Sequence, residues 1–139
     1  MTSTTSTSPT STTGTTPELT TRRRPPAPAM VAVGLATVLS LFGGYGAIYF
    51  TGLEGWDAFG ITYVTTYEAI SLFGLVSAIA LARGSSHGRV GLVAYGLFMV
   101  GFTIMKVVTI QEWEAISFGV VGAIVLGLAL HPRTRSFAP

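Results

Sequence analysis

The sequence predicts an all-α fold, a four-helix transmembrane bundle with a disordered N-terminal tail. Three observations predict it. Of 139 residues, 49% are hydrophobic and only 10% are charged, with a mean hydropathy of +0.59. A water-soluble domain carries about 25% charged residues. Four long apolar segments follow one another through short connections, and the arginines occupy alternate connections only.

Residues 1–28 make the tail. From Thr2 to Thr21 almost every position is Ser or Thr, and such a segment has no apolar face whose burial offsets its ordering entropy. Arg22, Arg23 and Arg24 follow, then Pro25, Pro26 and Pro28, which deny a helix and favour an extended spacer. A basic cluster ahead of an apolar run also opens a secretory signal. Here the run exceeds the ~7–15 residues of a signal core, with no small-x-small site after it, so an uncleaved signal anchor is expected.

The spans are expected at about 29–50, 59–82, 90–110 and 113–130, the third interrupted by Lys106. A helix needs about 20 residues, each rising 1.5 Å, to cross a hydrocarbon core of about 30 Å. The first three meet that length, and the fourth is short enough to stand upright or thin the bilayer locally. Residues 31–50 and 115–130 carry no charge on any face, whereas a small soluble bundle needs polar faces at helical spacing. No segment alternates with a period of two, which argues against strands and a β-barrel. The spans form one domain over 29–132, and residues 133–139 form a short basic tail.

Arginines set the orientation. Arg22, Arg23 and Arg24 precede the first span, Arg83 and Arg89 lie between the second and third, and Arg133 and Arg135 follow the fourth. The other two connections hold Glu54 and Asp57, then Glu112 and Glu114, without Lys or Arg. Lys and Arg in short loops stay cytoplasmic. The expectation is therefore a multi-pass plasma-membrane protein with both termini in the cytoplasm and an acidic outer face. Tyr49, Trp56 and Trp113 fall near the outer ends, where aromatic belts sit.

Two charges fall inside spans, Glu68 and Lys106. Counted from Ser86 in the short turn between the helices, Glu68 is 18 residues up one helix and Lys106 is 20 up the next. At 1.5 Å per residue they fall within about half a turn of the same depth, with Tyr63, Thr65, Thr66, Tyr67 and Thr103 nearby in height. An intramembrane charge is a functional candidate whose partner must be named, and these two name each other. The functional reading is an ion relay or a site for a small polar molecule. The structural readings, which weigh more, are an ion pair that fixes register or a lysine that snorkels to the headgroups.

Small residues are the second signal. Gly43 and Gly44, Gly74 and Ala78, and Gly119 and Ala123 are placed to let helices approach closely in lipid. Arg22, Arg23 and Arg24 are placed to contact anionic headgroups. Gly43-Gly44-Tyr45-Gly46 lacks the Thr-Val of a potassium filter and reads as a weakened helix. No cysteine is present, the two histidines stand apart from other ligand types, and the glycines lack the Lys-Ser/Thr of a phosphate loop. No catalytic residue, metal site or cofactor is expected, nor nucleic-acid binding. Glu112 and Glu114 read as an exposed, solvated pair.

With the Gly-rich first helix and the acidic outer loop, the ending His131-Pro132-Arg133-Thr134-Arg135-Ser136-Phe137 resembles small uncharacterised four-helix membrane proteins of actinobacterial type. The resemblance spans roughly residues 30–137 and implies a plasma-membrane location but no activity. Two functional classes follow from the whole chain. The first is a non-enzymatic structural or accessory component of a membrane assembly, packing against a larger complex or its own copies. The alternative is a homo-oligomeric transporter or channel subunit that uses Glu68 and Lys106.

Overall fold

In the computed structural model, residues 24–139 are described, and all the regular structure among them is helical. The Ser/Thr-rich tail and the expected headgroup contacts Arg22 and Arg23 lie outside the described residues; Arg24 is exposed. Helix α1 runs Ala27–Glu54, α2 Ala58–Ala82, α3 Ser86–Ile110, α4 Ala115–Leu130 and α5 Pro132–Phe137. Helices α1 to α3 are long and apolar enough to cross a membrane, while α4 is apolar but has only 16 residues.

The boundaries have local causes. Helix α1 begins at a proline-rich turn, because Pro tolerates the first helical turn, where its missing N–H has no partner to lose. Asp57 starts α2 by accepting a hydrogen bond from the Gly60 amide at 2.7 Å. At the end of α2, Gly84 adopts φ +80°, with Gly84 N–H donating to Leu81 O and Ser85 N–H to Ala80 O. This left-handed closure satisfies carbonyls the helix leaves open, and glycine takes that backbone without strain. Helix α3 therefore starts at Ser86, four residues earlier than the hydropathy suggests. Trp113 and Glu114 fall in the turn before α4.

The helices form a ring in chain order, with α4 returning against α1. Short turns between consecutive helices put each antiparallel to its neighbour. One end holds Arg83, Arg89, Arg133 and Arg135; the other holds Asp57, Glu112 and Glu114. Toward the basic end the centre is filled by Ala32, Ala36, Ala78, Leu81, Leu92, Val125 and Ala129, all fully buried. Residues 132–137, which begin at the last residue of the expected domain and run into the expected basic tail, fold as α5. His131 Nδ1 accepts from the Arg133 amide at 3.2 Å, Thr134 and Ala138 are buried, and Phe137 packs beside Gly84. Arg89 reaches across to donate to the Arg135 carbonyl at 3.3 Å.

Glycine packing is close but phase-selective. A Cβ on Gly74 would meet Ser40 Oγ and would stand 2.7 Å from the Tyr95 ring. One on Gly119 would stand 2.7 Å from Thr103, and Ala78 is fully buried. Ala123, expected among the packing residues, is exposed. The buried face of α4 runs through Ala115, Gly119, Gly122, Val125 and Ala129, so Ala123 sits one residue, about 100°, past it. Gly122 takes its place against Met99. Gly74→Ala should destabilise the protein by about 1–3 kcal/mol through overpacking. Gly34→Ala, at an exposed position with open space around it, should be neutral or gain up to about 1 kcal/mol from helix propensity. Thermal unfolding of the two variants in detergent checks this contrast.

Candidate functional site

Ser40, Gly74 and Tyr95 meet near mid-height, where Ser40 Oγ donates to Tyr95 Oη at 3.2 Å. Beyond them, toward the acidic end, the helices no longer fill the centre. A cavity of about 160 Å³ opens there, walled by all four long helices. Its α1 wall sets the small residues Gly43, Gly46 and Ala47 among Leu39, Phe42 and Phe50, and a Cβ on Gly46 would have open space around it. The other walls are aromatic. Tyr63 and Tyr67 lie with ring centroids 4.4 Å apart, Tyr67 meets Phe102 edge-on at 5.7 Å, and Phe98 stacks on Phe102 at 5.5 Å.

Lys106 stands at the acidic end of this cavity, its Nζ 5.5 Å from the Phe102 ring centre and 6.0 Å from that of Tyr67. It pairs with Glu112 Oε2 at 2.8 Å, not with Glu68. The turn that makes this possible is Gln111, which ends α3 in a left-handed conformation at φ 52° and brings Glu112 back over the helix it has just left. Glu112 is thus half of an ion pair, not part of a solvated acid pair; Glu114 is exposed. Thr103 is buried and donates to the Ala115 carbonyl at 3.2 Å. The Tyr67 hydroxyl is buried without a hydrogen-bond partner among the described residues.

Glu68 is one residue on from Tyr67, and that step turns it about 100° round α2. Tyr67 faces α3 and the cavity; Glu68 faces α1 and lies over Gly44, with a carboxyl oxygen 3.1 Å from where a Cβ would stand. It lines a separate, shallower groove on the outside of the α1–α2 pair, with Ser40, Leu41, Tyr45, Ile48 and Leu72. Glu68 Oε1 is shielded there and has no partner among the described residues. The predicted Glu68–Lys106 pair is therefore not formed. The two residues point to different faces. Thr65 and Thr66 do not join the polar patch either, since both are exposed and donate back to Ile61 and Thr62 carbonyls.

Residue counting found the height of this site but not Glu112, the true partner of the lysine. The signal for it was present: Glu112 follows Lys106 by six residues, near enough for a chain reversal to join them. Compared with known proteins, the chain matches no family model, no curated protein and no solved structure.

A double-mutant cycle separates the two pairings. Lys106→Met with Glu112→Gln should show a coupling of about 1 kcal/mol, the range for touching charged residues. Lys106→Met with Glu68→Gln should add within about 0.3–0.5 kcal/mol, as independent sites do. Both are read from unfolding midpoints.

Proposed function

We propose that the chain is a four-span plasma-membrane protein with both termini cytoplasmic, and that it serves as an accessory component of a membrane assembly, docking a partner chain on the outer α1–α2 groove. Support for the membrane location comes from the apolar residues exposed around the bundle, among them Val38, Leu41, Tyr45, Phe59, Leu72 and Val108. In water such a belt is an aggregation liability; against lipid it is the expected surface. Support for the orientation comes from the arginines gathered at one end.

The observation that carries the docking reading is the Glu68 carboxyl. It sits on an otherwise apolar outer groove with a shielded, unpartnered oxygen. Away from water, a polar group without a partner costs about 1–3 kcal/mol, and ionisable residues inside spans normally face another protein group. A second copy of this chain supplies no cation for it. Its one lysine is already bound to Glu112, and its arginines lie near the ends of the spans or before them. The fitting occupant is a different membrane chain that offers a cation at this depth. A transport path through Glu68 and Lys106 loses its premise, because the two residues face different spaces.

Tagged protein purified in gentle detergent should retain a stoichiometric larger partner. Glu68→Leu should lose it, and Glu68→Gln, which keeps hydrogen-bonding capacity but not the charge, should weaken it. A clean homo-oligomer from the wild type, unchanged in Glu68→Leu, would overturn the reading. Because the chain has no cysteine, single-cysteine variants test orientation. An impermeant maleimide on intact cells should label Trp113→Cys and spare His87→Cys, both exposed positions; the reverse pattern would invert the topology.

A further inference from the structure

We propose that the central cavity is a binding site for a neutral one-ring carbonyl compound, the chemistry shared by small aryl ketones and quinone headgroups. Size comes first. The cavity measures about 160 Å³, and an apolar cavity of about 150 Å³ takes up a benzene ring. Its walls suit a ring. Tyr63, Tyr67, Phe98 and Phe102 present paired aromatic faces and edges, the arrangement in which rings attract one another.

Polarity selects the rest of the molecule. The Tyr67 hydroxyl is buried beside that of Tyr63, and its own O–H is committed to no acceptor among the described residues. Lys106 spends one of its three N–H donors on Glu112. Both lie at the acidic end of the same space, so the complementary ligand brings an acceptor oxygen to that end and an apolar ring to the other. It carries no net charge. Glu112 already neutralises Lys106, and an ionic ligand would leave an unpaired charge among aromatic walls. On the α1 side, Gly43, Gly46 and Ala47 leave part of the space unfilled between the rings of α2 and α3. The site is independent of the Glu68 groove, which lies on the other side of the α1–α2 contact.

The test uses the full chain in lipid nanodiscs with a phenyl-diazirine photolabel, mapped by peptide mass. Labelling should saturate on Tyr67 and Phe102 and be displaced by acetophenone or tetramethyl-benzoquinone. Whichever of these acts at the lower concentration identifies the source, and benzoate should not compete. Tyr67→Phe should raise the half-displacing concentration about tenfold, the effect of one buried hydrogen bond, and leave displacement by toluene unchanged. Gly46→Leu should abolish cavity labelling, and Glu68→Gln should not alter it. Labelling confined to outward residues such as Phe59 and Val108, without saturation, would overturn the proposal. So would carbonyl competition that Tyr67→Phe does not weaken. That second variant keeps the test decisive should Gly46→Leu fail to fold.

Discussion

Three helices are pinned together where Gly74 of α2 lacks a side chain. Ser40 of α1 and Tyr95 of α3 occupy the space a Cβ would need and hydrogen-bond to each other across it at 3.2 Å. Buried hydroxyls are costly unless paired, so this contact fixes both the distance between helices and their rotation. Toward the basic end the spacing that results is filled by alanines with Leu81, Leu92 and Val125 between them. Toward the acidic end the aromatic rings of α2 and α3 are too large for such close approach, and the helices surround a cavity instead. Tight and open halves are therefore two consequences of one packing constraint.

Height along the bundle was legible in the sequence, and rotation was not. The 1.5 Å rise converts residue counts into height directly, so counting from the α2–α3 turn groups Tyr63, Tyr67, Thr103 and Lys106. Rotation is normally read from an amphipathic stripe. Helices apolar on every side carry none, so nothing in the pattern distinguished the inward Tyr67 from the outward Glu68, or the packed Gly122 from the exposed Ala123. The charge pair failed for a further reason. Lys106 found its partner in a turn, through a left-handed Gln111, and glutamine is not a residue that announces such a backbone. Helix α5 was hidden similarly. Its only preceding signal was Pro132 in the first turn, and its docking depends on Phe137 meeting the side-chain-free Gly84.

The cavity and the outer groove share a wall. Gly43 lines the first and Gly44 the second; Tyr67 belongs to the first and Glu68 to the second; Ser71 borders both. The separation is thus one pair of helix backbones thick, with glycine on the α1 side. A partner that draws the Glu68 carboxyl outward acts on the same turn of α2 that carries the Tyr67 hydroxyl. A ring that orders Tyr67 acts on the turn that carries Glu68. Any coupling between a docked chain and a bound ring would require differential contacts in two arrangements of that turn. At the α1–α2 contact the space beside Gly43 is bordered by Ser71 and the space beside Gly44 by the carboxyl of Glu68. The glycines that bring α1 close to α2 therefore shape both spaces at once.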